Sequence, residues 1–565
     1  MRWTQKSIPE KTKINSLQDV LNLDEVLATI LAQRGVENLE EAKHFFRPSL
    51  EDLHNPFLMK NMDKAVNRIE KAIKNKENIL VFGDYDVDGT TAVSLVSAYL
   101  KSYYSNVATY IPDRYEEGYG ISFLGIDFAQ DNDFSLIIAL DCGIKSIEHV
   151  EYATKKGIDF IICDHHLPGN TIPNAIAVLD PKQKDCNYPY KELCGCGIGF
   201  KLIQALAKNR NQTTKDLVSY LDLVATAIAA DIVPITGENR ILAKFGLEII
   251  NAFPRPGIKA LIQNIKKHTL TITDVVFIIA PRINAAGRIK HGNYAVALLS
   301  EYNLEQAQQF AAEIEQFNID RKELDKQTTA QALQQIIDNN EEKNYTTVVY
   351  QENWHKGIIG IVASRLIEKY YRPTLVFTKS GNKLAASARS VKHFDVYNAL
   401  EQCSEFIEQF GGHMYAAGLT LEEKKYPLFK KAFEKIVSET INKDWLIPEI
   451  TIDCDLNLNE INDKFIRILK QFEPFGPENM TPIFIARKVF DTGFGQTIGN
   501  NNEHLKLFVR QKNTNGFSAI GFGLGSKLEL IKNQKPCTIL FSIEENQWNG
   551  KTTVQLQIRD LKAEE

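Results

Sequence analysis

The chain of 565 residues is longer than one hydrophobic core usually organises, so about three or four domains are expected. Hydrophobic residues make up 44% and charged residues 24%, a composition that excludes a wholly disordered chain. The formal net charge of −5 disfavours general attraction to nucleic acid, so any path for such a polyanion must be a local basic groove.

Residues 1–54 predict short helices and turns, without the apolar stretch of a secretory signal. No uncharged apolar run reaches the roughly 18 to 20 residues that cross a bilayer, so we expect a cytoplasmic protein with no membrane association. Eight sparse cysteines fit a reducing compartment. Cys194 and Cys196 form a CxC motif, but the second pair of soft ligands typical of a structural zinc site is missing.

Residues 55–300 predict an α/β domain with a parallel sheet. Short apolar runs at 79–84, 136–141, 160–164 and 175–180 alternate with helical stretches, a pattern typical of buried parallel strands. Ligands of open α/β sheets bind outside the carboxyl ends of the strands. Each run ends in an aspartate, so four acids are expected at this one edge: Asp84, Asp141, Asp164 and Asp180.

Three aspartates at alternate positions, Asp84, Asp86 and Asp88, follow the first of these runs and precede Gly89 and a helix. Carboxylates this close repel one another unless a cation neutralises them, so the segment predicts metal binding. An EF-hand is disfavoured because its twelfth position would be Leu95, which has no ligand atom. The alternative interpretation is an acidic N-cap of the helix.

Two adjacent histidines, His165 and His166, follow Asp164 at another strand end, an arrangement that favours imidazole ligation supported by a carboxylate. Asp231 follows a helical run, where its alternative role is that of a helix C-terminal residue. Carboxylates and imidazoles together suit Mn²⁺ or Mg²⁺. Two such ions would activate a water and clamp the attacking and leaving oxygens of a phosphodiester.

The rest of the chain predicts a helix and two further domains. Residues 301–343 predict a long connecting helix, since 303–343 contain neither glycine nor proline and apolar residues recur at helical spacing. Residues 344–446 predict a smaller α/β domain. Residues 447–565 predict a small β-barrel of the oligonucleotide-binding (OB) kind, with turns at Gly493, Gly495, Asn549 and Gly550. Three aromatic residues there could stack bases but are expected in the core instead: Phe484, Phe508 and Phe522.

The acidic and histidine motifs together resemble those of the DHH phosphoesterase superfamily: DxDG, an acid after the second strand, DHH and a fourth aspartate. The resemblance implies that His166 lies near the scissile phosphate and that Asp164 supports the histidines. Many members carry a histidine where this chain has Phe82, so Asp84 or water is expected to take that coordination place. The metal ligands that the resemblance implies are Asp86, Asp88, Asp141, His165 and Asp231.

Later segments resemble the RecJ branch of that superfamily. They are 281–289 (PRINAAGRI), 354–366, 387–390 (SARS), 411–419 (GGHMYAAGL) and 473–484, where Glu478 replaces a usual glycine. The resemblance implies a parallel-sheet DHH domain, a long helix, a smaller α/β DHH-associated domain and an OB barrel. It also implies a 5′-to-3′ exonuclease specific for single-stranded DNA that uses two Mn²⁺ or Mg²⁺ ions, releases 5′-mononucleotides and serves DNA repair and recombination.

A second set of residues is expected to hold the substrate. Glycines let a backbone approach a nucleotide closely, a histidine can donate to phosphate and arginine binds phosphate with two hydrogen bonds. The alternatives are that the glycines serve a turn and the arginines a solvated surface. By the resemblance, Arg114 helps to hold a terminal 5′-phosphate. The predicted residues are Arg114, Arg282, Ser387, Arg389, Gly411, Gly412 and His413.

Two other functions are compatible with part of the sequence. A DHH phosphodiesterase of cyclic dinucleotides or short RNA would share the site, but such enzymes typically stop after the associated domain. A non-catalytic RecJ-like DNA-binding protein would be expected to lose metal ligands, which this chain retains apart from the Phe82 position. The expected partner is single-stranded DNA, and the resemblance adds single-strand-binding protein, a RecQ-type helicase and a monomeric state.

Overall fold

The computed structural model describes residues 1–512, 514–548 and 551–564. The chain starts with a strand and three helices: β1 (Arg2–Gln5), α1 (Lys11–Leu21), α2 (Glu25–Gln33) and α3 (Leu39–Phe46). The strand differs from the prediction of helices and turns alone. It pairs in parallel with Glu449–Ile452, over 440 residues away along the chain, and such pairing leaves no local sequence pattern.

The first large lobe contains a five-stranded, wholly parallel sheet in the order β3-β2-β4-β5-β6, with apolar cores on both faces. Four of its strands coincide with the predicted apolar runs, and β3 was not predicted. The strands are β2 (Asn78–Gly83), β3 (Val107–Tyr110), β4 (Phe134–Leu140), β5 (Asp159–Cys163) and β6 (Ala177–Leu179).

Helices cover both faces of this sheet and extend beyond it. Those before and between the strands are α4 (Met62–Asn75), α5 (Val87–Lys101), α6 (Phe123–Asp131) and α7 (Ile147–Lys155). Those after the strands are α8 (Gly195–Asn209), α9 (Leu221–Ala230), α10 (Gly237–Ala252), α11 (Pro256–Ile262), α12 (Ile272–Asp274), α13 (Ala280–Ile289) and α14 (Asn293–Ser300).

One long helix, α15 (Leu304–Asp338), leads to the second lobe. Its 35 residues run unbroken and span about 52 Å. The Asn303 side chain caps its start by accepting from the Gln306 N–H at 3.1 Å. No helix among the described residues is both long and apolar enough to cross a bilayer.

The second lobe is a five-stranded mixed sheet in the order β10-β11-β9-β8-β7, in which only the β7–β8 pair is parallel. Its elements are β7 (Thr347–Tyr350), α16 (Ile359–Lys369), β8 (Thr374–Ser380), β9 (Lys383–Arg389), α17 (Val396–Glu401), β10 (Gln409–His413), β11 (Ala416–Leu421) and α18 (Tyr426–Thr440).

The C-terminal part contains a seven-stranded sheet, in which an additional pairing between β14 and β16 closes five of the strands into a barrel. Asn549 and Gly550, predicted to form a turn, lie outside the described residues. The elements are β12 (Glu449–Ile452), β13 (Cys454–Asp455), α19 (Asp463–Lys470), β14 (Phe484–Asp491), β15 (Gln496–Ile498), β16 (His504–Arg510), β17 (Phe517–Gly521), α20 (Leu528–Ile531), β18 (Cys537–Trp548) and β19 (Lys551–Ala563).

The N-terminal helices belong to the core of this barrel. Leu27 and Leu31 of α2 are buried in the same apolar cluster as Phe472 and Phe484. The barrel therefore buries apolar surface from both ends of the chain.

A buried arginine fastens the first lobe to the barrel. Arg240 of α10 donates hydrogen bonds to the carbonyls of residues 471–474 and of Phe45, and its guanidinium lies 4.0 Å from the centre of the Phe45 ring. Nearby, the Ile235 N–H donates to the Pro477 carbonyl at 2.8 Å. These contacts join three parts of the chain at one point.

Candidate active site

The carboxyl edge of the parallel sheet gathers the predicted acidic and histidine residues. Asp84, Asp141 and Asp164 each follow the last residue of a strand, and Asp231 is the C-cap of α9. Because neighbouring parallel strands end at the same edge, residues from distant stretches of chain become neighbours here.

The imidazole of His165 lies at the centre of this group. Its Nε2 atom is 3.2 Å from Asp141 Oδ1, 3.6 Å from Asp231 Oδ2 and 3.8 Å from Asp88 Oδ2. Two sets of potential ligand atoms lie within 4.8 Å of one another: Asp88 with His165 and Asp231, and Asp141 with His165 and His166. The geometry therefore suits metal binding by carboxylates and imidazoles.

The carboxyl groups of this cluster are poorly stabilised as anions. Burial and the neighbouring Asp86 raise the pKa of Asp88 to about 7, although Asp88 accepts hydrogen bonds from the Gly195 and Cys196 N–H groups at 2.6 and 2.7 Å. Burial and Asp88 raise the pKa of Asp231 to about 8 and that of Asp141 well above its usual value.

Several buried ligand atoms have no hydrogen-bond partner among the described residues: Asp84 Oδ2, Asp141 Oδ1 and His165 Nδ1. Burial, together with His166, lowers the pKa of His165 to about 3, so its ring is neutral and able to ligate a cation. A divalent cation would neutralise the crowded carboxylates. The residues present therefore fit such a cation, and their unpartnered atoms are what such a site would show.

Asp86 and Asp84 have additional contacts of their own. Asp86 Oδ1 accepts from the Gly89 N–H at 3.0 Å and so caps α5, the alternative that the sequence left open. Its other oxygen remains for a cation. Asp84 accepts a hydrogen bond from the Gly120 N–H at 3.2 Å. Burial raises the pKa of Asp84 well above its usual value, and the neighbouring Asp86 raises it further. Phe82 is buried and stacks on Tyr110, so it lies in the core instead of the site.

Asp164 orients His166. Its Oδ1 lies 2.7 Å from His166 Nδ1 and accepts from the backbone N–H of His165 at 2.7 Å. Burial opposes ionisation of Asp164, but its hydrogen bonds, that with the His166 ring foremost, lower its pKa to about 2. Burial likewise disfavours the charged ring of His166, yet the hydrogen bond to Asp164 raises its pKa. His166 is therefore held through Nδ1, and the raised pKa favours the charged ring, in which Nε2 carries a second proton.

Three arginines lie close together beside the cluster. Burial, followed by repulsion from Arg114 and Arg389, lowers the pKa of Arg288 to about 9. Arg288 donates to the Gly357 carbonyl at 2.9 Å, and the Arg114 guanidinium lies 3.9 Å from the centre of the Tyr85 ring. Three guanidinium groups that repel one another would be stabilised by an anionic ligand, to which they can donate hydrogen bonds.

The second lobe contributes its β9 strand and the β10–β11 hairpin. Arg389 donates to Ser387 Oγ at 3.1 Å. Burial, together with Arg389 and His166, lowers the pKa of His413. Gly412 has φ +146°, and a Cβ there would lie 2.3 Å from the Ala416 carbonyl oxygen. Strand pairing thus requires Gly412, whereas Gly411 faces open space.

A second surface on the barrel combines basic and aromatic side chains. Lys506, Phe508 and Arg510 alternate along β16 and point to solvent, while the residues between them are buried. Phe508 is 40% and Phe522 56% exposed, so their predicted place in the core was wrong; Phe484 is buried as predicted. Alternation alone does not tell which face of a barrel strand points inward.

Three family models match the chain: the DHH family N-terminal domain at residues 78–228, the DHHA1 domain at 342–439 and the RecJ OB domain at 452–560. The Bacillus subtilis single-stranded-DNA-specific exonuclease RecJ is 34% identical over 100% of this chain and 71% of its own length. The Haemophilus influenzae RecJ is 32% identical over 94% and 95% respectively. This chain belongs to the RecJ family.

Solved structures agree with this membership. The crystal structure of Thermus thermophilus RecJ in complex with Mn²⁺ has a TM-score of 0.86 at 26% identity, covering 100% of this chain and 80% of that one. A structure of exonuclease RecJ bound to manganese has a TM-score of 0.61 at 30% identity, covering 70% and 97%. The fold class and the RecJ resemblance predicted from the sequence are confirmed.

Within this RecJ-family site, the structure brings together most of the predicted residues and separates one. Arg282 pairs with Glu315 of α15 and donates to the Ile278 carbonyl, so its donors are engaged on the helix side. Arg288, one and a half turns further along α13, joins the arginine group instead. Both lie in the same PRINAAGRI segment, and no sequence signal distinguished them.

Tyr119 is a further residue at the site that sequence reasoning missed. Its hydroxyl lies 3.2 Å from His166 Nε2 and 3.3 Å from the Asp141 carbonyl oxygen. The flanking glycines Gly118 and Gly120, both with positive φ, were the available signal, because they form the sharp turn that directs this ring towards the site.

Proposed function

We propose that this protein is a metal-dependent exonuclease that hydrolyses single-stranded DNA from its 5′ end and releases 5′-mononucleotides. The observation that carries the proposal is the convergence of Asp88, Asp141, His165 and Asp231, with buried polar atoms that have no hydrogen-bond partner in the part of the chain that the structure describes. Membership of the RecJ family supplies the substrate class, since the relatives are single-stranded-DNA-specific exonucleases. A role in DNA repair and recombination follows from the same membership.

We assign the cation ligands to the predicted residues: Asp86, Asp88, Asp141, His165 and Asp231, with Asp84 adjoining them. Mn²⁺ or Mg²⁺ bound there would supply the Lewis acidity that lowers the pKa of a water and stabilises charge developing on a phosphate. Asp88 is kept in place by two backbone N–H groups, and the neutral ring of His165 offers a lone pair.

His166 and Tyr119 complete the reacting side. His166, fixed by Asp164 through Nδ1, presents Nε2 to the open side of the cluster, where it donates a hydrogen bond to a phosphate oxygen. The Tyr119 hydroxyl lies 3.2 Å from this nitrogen. Burial raises the pKa of Tyr119, and the neighbouring Asp141 raises it further. The phenol therefore stays protonated and acts as a donor.

The strand's path is proposed from charge and shape. Arg114, Arg288 and Arg389 would hold the terminal 5′-phosphate, and His413 would contact the next phosphate from the second lobe. The exposed face of β16 would hold the strand further away through stacking and phosphate contacts. The first and second lobes contact each other through the hydrogen bond from Arg288 to the Gly357 carbonyl. A passage between them at this point would be too narrow for a duplex.

Other functions receive less support. A cyclic dinucleotide would leave the exposed Lys506, Phe508 and Arg510 face of the barrel without a role. A non-catalytic binding protein would have no need for the ligand cluster. Binding of single-strand-binding protein and a RecQ-type helicase, the monomeric state and the cellular location stay predictions from the resemblance.

The test is hydrolysis of 5′-phosphorylated single-stranded and duplex oligonucleotides with Mn²⁺, with Mg²⁺ and with chelator. We expect mononucleotides from the single strand only, no products with chelator, and a loss of at least about a thousandfold in Asp88→Asn. Asp131→Asn, an exposed acid on α6, is the matched control. Full activity of Asp88→Asn, or fragments cut from the interior of the strand, would contradict the proposal.

A further inference from the structure

Three exposed side chains with apolar surface border the ligand cluster, each on a different loop. Leu167 follows His166 and is 71% exposed, Ile232 follows Asp231 and is 64% exposed, and the Tyr119 ring beside His166 is 54% exposed. Isolated apolar residues are ordinary on a protein surface. Here they share one edge, next to the residues that would hold the reacting phosphate.

Ile232 also has a backbone conformation that is unfavourable for its residue type. Its φ is +59°, in the left-handed region, directly after the C-cap of α9. Glycine or asparagine normally takes this position, and a β-branched residue there is an outlier. Strain of this kind persists where the surroundings impose it.

The chain on both sides of Ile232 is fixed. On one side α9 is buried, and its last turn holds Asp231 by a backbone hydrogen bond to Ala227 at 2.9 Å. On the other side, the Pro234 carbonyl accepts from the Asn239 side chain at 3.0 Å, and the Ile235 N–H donates to the Pro477 carbonyl. The backbone on both sides therefore fixes the position of Ile232, which is 64% exposed.

We propose that Ile232 is a substrate contact, whose side chain packs against the base of the nucleotide next to the scissile phosphate. The inference rests on the proposed function. The position follows from Asp231, because a phosphate held at the cluster places its own nucleoside within reach of the adjoining residue. An apolar contact suits an enzyme that must accept every base, since each base offers an apolar face and hydrogen bonds would select among them.

The experiment measures equilibrium binding of fluorescent single-stranded oligonucleotides in chelator, which separates binding from hydrolysis. One oligonucleotide is intact, and the other carries abasic residues at its 5′ end. We expect Ile232→Asn to weaken binding of the intact strand about fivefold, as loss of partial burial of an isoleucine would. Binding of the abasic strand should stay unchanged, because the contact is already missing.

Thermal unfolding of the same variant supplies an independent readout. Asparagine tolerates the left-handed conformation, so Ile232→Asn should unfold at a temperature equal to or above that of the wild type. Ile8→Asn, the same change at an isoleucine that is 67% exposed in the N-terminal segment, should alter neither binding curve.

Equal weakening on both oligonucleotides would overturn the inference, because the substitution would then act through Asp231 or the backbone. Unchanged binding of the intact strand would overturn it as well. Both results leave the proposed function intact. Failure of the wild-type protein to bind either oligonucleotide would instead overturn the proposed function and this inference together.

Discussion

Asp141 illustrates a conflict between stability and function within one side chain. Its carboxyl is buried, one oxygen has no hydrogen-bond partner within the described part of the chain, and burial together with Asp88 raises its pKa. A charge in such surroundings costs free energy unless it is neutralised. The same group therefore opposes folding without a cation and favours binding of one.

Replacing Asp141 by asparagine should make the metal-free protein more stable and abolish its response to metal. In chelator we expect Asp141→Asn to unfold about 2 to 4 °C above the wild type, corresponding to about 1 kcal/mol. Saturating Mn²⁺ should stabilise the wild type by about 3 kcal/mol at a hundredfold excess over Kd and the variant much less. Scanning calorimetry measures both, with Asp131→Asn as control. Equal stabilisation by Mn²⁺ would show that Asp141 is no ligand.

Arg288 and Arg282 allow a test of which arginine binds the 5′-phosphate: the one placed at the site by the structure or the one predicted from the sequence. Arg288→Met should raise KM about tenfold or more for a 5′-phosphorylated strand, because charge-assisted hydrogen bonds to phosphate are lost. A strand with a 5′-hydroxyl should be much less affected. Arg282→Met removes the pair with Glu315 and the hydrogen bond to the Ile278 carbonyl, and it should leave KM within about twofold. Steady-state kinetics on both substrates decide. A larger effect of Arg282→Met would support the assignment made from sequence.

At the scale of elements, strand β16 shows how the barrel divides its two faces. Leu505, Leu507 and Val509 fill the core, while Lys506 and Phe508 face solvent. Period-two alternation predicts that one face is buried. The alternation does not tell which of the two faces is buried, and for this reason the sequence-based prediction placed Phe508 in the core.

Removing this exposed aromatic residue should weaken binding of long strands selectively. We expect Phe508→Ala to lower affinity for a long single strand about tenfold, within the roughly 1 to 3 kcal/mol of one base stack. Hydrolysis of a strand too short to reach the barrel should be unchanged. Anisotropy and product analysis measure the two effects. Phe253→Ala, on the first lobe and 83% exposed, is the control. A loss that is independent of strand length would exclude this role.

At the scale of the whole molecule, the parts are joined by few but specific contacts. Arg240 has no carboxylate partner among the described residues and is satisfied by backbone carbonyls of residues 471–474 and Phe45. Burial lowers its pKa to about 10, still well above neutrality. The N-terminal strand pairs with β12 and the N-terminal helices share the apolar core of the barrel, so the barrel's position depends on distant segments.

Replacing Arg240 should therefore loosen the barrel. Arg240→Lys keeps the charge but cannot donate in five directions, and we expect a loss of about 3 kcal/mol in the free energy of unfolding as carbonyls become unsatisfied. Urea unfolding gives this value. Lys244→Met, on the same helix, should change it by less than about 0.5 kcal/mol. If Arg240→Lys is equally mild, the docking contact does not contribute to stability.

The sequence by itself determined the chemistry and the order of the parts. Two features could be predicted from local patterns: the strand ends followed by Asp84, Asp141 and Asp164, and the long helix without glycine or proline. Strand burial and helix periodicity both depend on residues that are close together in the chain. The fold class and the RecJ resemblance followed from them.

Only the tertiary structure decided which side chains meet. It placed Arg288 instead of Arg282 beside Arg114 and Arg389, turned Tyr119 towards His166, and exposed Phe508. It paired β1 with β12 and held Ile232 in a strained conformation. Each of these depends on contacts between residues far apart in the chain, and such contacts arise from packing that no local period records.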